Sequence, residues 1–149
     1  NAGEFDPDSK NKVIDFLPDQ SDNINKGGTL CLGAYPCKVE FGSNLYECYN
    51  EEMIFERHRH RYEYNNDYRE QLVNAGLMIG GTSPDERIVE TVEIKENDYF
   101  VGVQFHPEFK SRPNKPHPLF TGLIKYAALR KERLEGVSGN GETAEENNK

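Results

Sequence analysis

The sequence has no tryptophan, only two methionines and only three cysteines. Cys31, Cys37 and Cys48 are an odd number, and no two of them form a C-x-x-C pair. A disulfide framework and a zinc knuckle both need paired, regularly spaced cysteines, so neither is expected and a reducing compartment is. No run of 18 apolar residues occurs, and no apolar core of a signal peptide. A soluble, cytoplasmic protein without a membrane partner is therefore the expectation. Positive charge is also scarce: 18 Lys and Arg stand against 26 Asp and Glu, a formal net charge of -8. Phosphate-rich partners reward basic faces, so nucleic acid is not an expected partner either. An initiator methionine is missing too, because the chain opens "NAGEFDPDSKNK". It reads as the middle of a longer protein, incomplete at its N-terminal side.

What is present suits one domain. The 149 residues are enough for a single core, and 35% hydrophobic against 30% charged residues is a globular but polar balance. Val13 to Leu17 reads as a short strand and Pro18 to Gly28 as a loop. "TLCLGAYPCKVEF" reads as a strand bent at Gly33 and Pro36, and "SNLYECYNEE" as a turn or two of helix. "MIFERHRHRYEYNN" looks extended, and Asn65-Asn66 cap the helix "DYREQLVNAG", with Tyr68, Leu72 and Ala75 on one face and Gly76 at its end. "LMIGGTS", "RIVETVEIK" and "YFVGVQF" give three more strands, the last covered on both faces. "HPLFTGLIKYAALRKERL" is a helix with Leu119, Leu123 and Ala127 as its stripe. Residues 1–134 thus form the domain, and 135–149, with almost nothing to bury, a disordered tail. There are no internal repeats.

Three stretches could carry chemistry. In "VGVQFHPEF", His106 and Glu108 are two apart, so an extended chain puts both on one side at the end of a strand. A bare H-x-E is a weak signal. Its functional reading is a histidine that activates a thiol, with a carboxylate fixing its tautomer and holding the charge it acquires. In "ERHRHRYEYN", Arg57, Arg59 and Arg61 alternate with His58 and His60. The plain reading is a charged edge strand. The sharper one is a guanidinium fork gripping a carboxylate, such as that of an amino-acid substrate. A metal held by His58 and His60 is disfavoured by the neighbouring guanidinium groups. Finally, "GGTLCLG" superficially looks like a nucleophile elbow at Cys31. An elbow needs a helix directly after the nucleophile, and "LGAYP" cannot start one.

Taken together and in this order, "EFDP", "KGGTLCLGAYPCKV", "ERHRHRYEYNN", "AGL", "VGVQFHPEF" and "HPLFTGLIKYA" resemble the class I glutamine amidotransferase domain of the CTP synthase family. The resemblance implies an α/β, flavodoxin-like fold, with a mostly parallel sheet and an added antiparallel portion. It implies a protein that makes CTP from UTP, ATP and glutamine, using magnesium in a separate synthetase domain, with GTP as activator. It also implies a tetramer assembled largely through that synthetase domain. By position, His106 would be the base of a Cys-His-Glu triad and Glu108 its orienting carboxylate. Arg61 and Glu4 would bind the α-carboxylate and α-ammonium of glutamine. The family's nucleophile lies in an elbow that this sequence does not contain, so residues 1–149 alone are expected to be inactive. Cys31 stands where the family usually has an arginine tied to GTP activation. Two rival readings are the glutaminase part of another synthetase, such as GMP synthase, and a non-catalytic amidotransferase-like module used for binding or assembly.

Overall fold

Runs of alternating apolar and polar residues build a five-stranded sheet with a two-stranded one beside it. The computed structural model describes residues 1–16 and 31–139, the side chains of Cys31 and of residues 137–139 excepted. The expected loop from Pro18 to Gly28 lies outside the described residues. β1 (Ile14–Asp15) is followed by β2 (Cys31–Val39), α1 (Asn44–Tyr49) and β3 (Met53–His60). Then come β4 (Glu63–Tyr64), α2 (Arg69–Asn74), β5 (Leu77–Thr82), β6 (Val89–Ile94), β7 (Val101–Val103) and α3 (Pro118–Gly139). β1 pairs with β4, and the other five strands form a sheet in the order β3-β2-β5-β6-β7.

Every strand pair in that sheet is antiparallel. Among the described residues the sheet thus matches the added antiparallel portion of the expected fold, and it contains no parallel pair. Strands β5, β6 and β7 are joined by short turns, and a parallel neighbour needs a crossover of a dozen or more residues. β7 differs from expectation. It is a three-residue edge strand bonded to β6, and its residues are half-buried rather than covered on both faces. The burial expected there falls instead on Phe105, just beyond it.

The core is small: Cys37, Val39, Leu45, Ile54, Phe105 and Leu119, with α1 laid against the sheet. A six-residue helix has little stability of its own, so its end is held from two sides. The Ser43 hydroxyl accepts from the Tyr46 amide at 2.9 Å, and the buried Glu93 carboxylate of β6 accepts from the Asn44 and Leu45 amides at 2.8 and 2.9 Å. Gly80 of β5 leaves room for that carboxylate, since a Cβ there would sit 2.8 Å from Glu93 Oε1. α2 ends at Gly76 with φ 101°, a conformation that favours glycine.

α3 packs through Leu119, Gly122 and Tyr126, while Leu123 and Ala127 are exposed. The predicted stripe is therefore displaced. The hydroxyl of Tyr126 reaches Glu47 of α1, and Gly122 lies against Cys48, so the helix presents its small and aromatic residues to α1. α3 also runs past Leu134 to Gly139, beyond the boundary that the sequence places for the tail. Residues 140–149 lie outside the described residues. Among the described residues no helix is long and apolar enough to cross a membrane.

Candidate active site

β7 delivers His106 to the surface, and the chain then turns sharply. Pro107–Phe109 form a single 3-10 turn, with the proline at its first position, where a missing amide costs nothing. The turn folds Glu108 back on His106, so that Nδ1 and Oε1 lie 2.8 Å apart. Sequence reading brought these two together through strand alternation; the structure does so through the turn. The bond from His106 holds the Glu108 carboxyl below its usual range. With Nδ1 spent on Glu108, the other ring nitrogen, Nε2, makes no hydrogen bond among the described residues. Phe109 stacks on the imidazole at 4.9 Å, and the His106 amide donates to the Arg57 carbonyl at 2.9 Å. Ring, tautomer and backbone are all fixed.

β3 sorts the "RHRHR" stretch as its period of two demands. Ile54, Glu56 and His58 are buried, while Phe55, Arg57 and Arg59 are exposed, on the sheet's outer strand. Arg61 follows the strand at an exposed bend. Glu4 is exposed in a turn near the start of the chain. The β1–β4 pairing brings these two regions to one corner: Ile14 is opposite Tyr64, and the Gly3 amide donates to the Ile14 carbonyl at 2.7 Å. Phe16 packs on Tyr62, its ring centroid 4.4 Å away, beside Arg61. One concavity of about 700 Å³, lined by Lys38, Arg69, Leu77 and Lys95, includes none of Glu4, Arg61, His106 or Glu108.

On the buried side of β3, His58, His60 and Glu90 place one donor atom each within 4.8 Å of one another. Guanidinium repulsion, the ground on which sequence reading disfavoured a metal there, does not apply, because Arg57 and Arg59 lie on the other face. The two imidazoles are instead engaged with each other, while Glu90 Oε2 and His58 Nε2 are buried without a hydrogen bond among the described residues. His60 Nδ1 faces the Tyr62 carbonyl at 3.1 Å and so carries a proton, which leaves its Nε2 to accept from His58 Nδ1 at 2.8 Å. Burial lowers His58 to about 4 and raises Glu90 to about 8, the latter with help from Glu63. At neutral pH the cluster is two neutral imidazoles and a protonated carboxyl.

This has a consequence for stability. Glu90 is raised when folded, so the folded state holds a proton that the unfolded chain releases above the usual carboxylate range. Stability is therefore lost as pH rises from about 4.5 through about 8. His58 acts at the other end, and its contribution is lost as pH falls from about 6.5 through about 4. Each pKa unit is worth about 1.4 kcal/mol, so Glu90→Gln, which cannot ionise, should stabilise by a few kcal/mol at pH 9. At pH 5 it should be close to neutral. Thermal unfolding of the complete protein across pH 5–9 checks this; a pH-independent difference would remove the assignment.

The described thiols are poor nucleophiles. Burial, with Glu90 and Glu56 nearby, pushes Cys37 up to about 12. Cys48 is raised as well, first by burial. Cys31 starts a nine-residue strand whose first pair is His60, so no helix follows it and the elbow is absent there.

Sequence reading missed a second polar cluster behind the turn. Glu56, only 1% exposed, accepts at Oε1 from Tyr49 Oη at 3.0 Å and from Lys110 Nζ at 2.9 Å, and His117 Nε2 stands 3.4 Å away. Burial opposes the charge on Glu56, but these bonds outweigh it and hold the carboxyl below its usual range. The signal available in the sequence was a glutamate at an inward position of β3, where a buried carboxylate must find partners.

Residues 9–126 match the family Glutamine amidotransferase class-I. The chain is 57% identical over 133 residues to the CTP synthase of Clostridium acetobutylicum, covering 89% of this chain and 25% of that protein. It is 58% identical over 125 residues to the CTP synthase of Caldanaerobacter subterraneus subsp. tengcongensis, covering 84% and 23%. The chain thus spans about a quarter of the length of the curated relatives it matches. Among solved structures, the glutaminase domain of Trypanosoma brucei CTPS with bound acivicin superposes with a TM-score of 0.78 at 35% identity. That match covers 86% of this chain and 50% of the other. A GMP synthase protein from Thermoplasma acidophilum gives 0.55 at 18% identity, covering 71% and 48%, a likeness of fold alone.

Proposed function

This chain belongs to the class I glutamine amidotransferases, and on that premise we propose that it forms part of the glutaminase of a CTP synthase. It supplies the base and the orienting carboxylate of a Cys-His-Glu triad. The carrying observation is the imidazole of His106, held at Nδ1 by Glu108 with Nε2 left to work. In the reaction, Nε2 takes the proton of a cysteine thiol, and the thiolate attacks the side-chain amide carbon of glutamine. Nε2 returns the proton to the departing nitrogen, so ammonia leaves and a thioester remains. Water then attacks the thioester as Nε2 removes its proton, and glutamate and the thiol are restored. Glu108 keeps the imidazolium stable at each stage. Arg61 grips the α-carboxylate of glutamine and Glu4 its α-ammonium, two complementary charges at one corner of the fold.

The ammonia is used to convert UTP to CTP, with ATP, in a synthetase portion of a cytoplasmic, oligomeric enzyme. The identity to CTP synthases favours this over a GMP synthase, whose likeness is of fold alone. The raised thiols of Cys37 and Cys48, and the strand context of Cys31, favour a nucleophile outside residues 1–149. Treating the complete protein with a thiol-reactive glutamine analogue, followed by peptide mass spectrometry, tests the reading. Label on a cysteine outside these residues is expected. Label on Cys31 would overturn the assignment, and no label at all would favour a non-catalytic module.

A further inference from the structure

The turn carrying His106 and Glu108 is exposed and only three residues long, yet triad chemistry needs its geometry held to a fraction of an ångström. Strand β3 holds it at both ends. At the near end the His106 amide donates to the Arg57 carbonyl. At the far end Lys110 reaches the Phe55 carbonyl and, at 2.9 Å, the carboxylate of Glu56. Glu56 is itself fixed by Tyr49 of α1, and Tyr49 Oη lies 2.9 Å from His117 Nε2. His117 accepts at Nδ1 from the Leu119 amide, so Nε2 carries the proton and donates to Tyr49, which donates onward to Glu56. Tyr49, Lys110 and His117 therefore converge on one buried oxygen, and of the three Lys110 is the one that lies in the 106–110 segment.

Resting on the glutaminase reading, we infer that Glu56 is a positioning residue for glutamine hydrolysis, which acts through Lys110 to fix the turn that presents His106 and Glu108. It touches neither substrate nor the reacting atoms. Its charge is what matters: a neutral amide of the same shape could still accept from Tyr49 but would hold the Lys110 ammonium far less firmly.

The test is steady-state kinetics on the complete enzyme, with glutamine or free ammonia as nitrogen source. Glu56→Gln should lower kcat for glutamine hydrolysis by about tenfold or more, since a misplaced catalytic group of about 1 Å can cost a hundredfold. The KM for glutamine should stay nearly unchanged, and so should ammonia-fed synthesis. Lys110→Met should fall in the same direction, Lys110→Arg should recover most of the rate, and the double variant should be no worse than Glu56→Gln alone. The half-exposed Lys110 keeps the test decisive if Glu56→Gln does not fold. Normal kcat in Lys110→Met, a loss confined to KM, or an equal loss with both nitrogen sources would overturn the inference. If His106→Ala also hydrolyses glutamine normally, it is the glutaminase reading that fails. If His106→Ala is inactive while Glu56→Gln and Lys110→Met are normal, the positioning role alone is wrong.

Discussion

Replacing His106 by alanine is expected to abolish glutamine hydrolysis in the complete protein, a loss on the order of 10⁴- to 10⁶-fold in kcat. No other described group can take its place. His58 and His60 are bonded to each other and to the Tyr62 carbonyl on the inner side of β3, and His117 is bonded to Tyr49 and the Leu119 amide. Glu108→Ala should cost less, on the order of 10²- to 10⁴-fold, because the base survives without its orienting partner. Its 56% exposed side chain works in part against solvent, which points to the lower end. Both variants should keep ammonia-fed CTP formation. Hydrolysis assays beside ammonia-fed synthesis check both claims, and a Glu108→Ala loss larger than that of His106→Ala would reverse the assigned roles.

Arg61→Ala should mainly raise the KM for glutamine. In the proposed role the guanidinium would grip a part of the substrate that does not react, so the contact would be made alike in ground and transition states. Removing one partner of a charge pair that binding desolvates costs roughly 2–5 kcal/mol, or about 30-fold and upward in affinity. Ammonia-dependent synthesis should be untouched. Arg57 and Arg59 lie on the outer face of β3, and their alanine variants are the controls. Equal loss with either nitrogen source would remove Arg61 from the substrate site. A loss shared by Arg57→Ala would mean that the strand carries the effect rather than its last arginine.

Much of this arrangement was legible in the sequence where a short period governs it. The inward histidines and outward arginines of β3 follow from strand alternation alone. The 3-10 turn at Asn66–Tyr68 begins where Asn65 was read as a cap, and its side chain accepts from the Asp67 amide at 3.0 Å. Long-range contacts were less legible. Leu123 looked like a core residue because it is apolar and correctly spaced, but what α3 packs against is α1, where Gly122 and Tyr126 fit. The antiparallel pairing was obscured because apolar runs suit either strand direction. Glu56 escaped notice for a similar reason. Its partners come from α1, from the segment after β7 and from the residue just before α3, and no local pattern links them.

The alternation of β3 also sets what kind of change this stretch can absorb. A substitution in "RHRHR" alters one side chain and leaves the rest on their proper faces. A one-residue insertion or deletion would reverse every face beyond it: guanidinium groups would enter the space held by His58 and Glu90, and the imidazoles would face water. It would also shift Arg61 relative to Arg57, whose carbonyl anchors His106. Length, more than composition, is the constrained quantity along this strand, because it sets the spacing between the anchor of His106 at the Arg57 carbonyl and Arg61 at the strand's end.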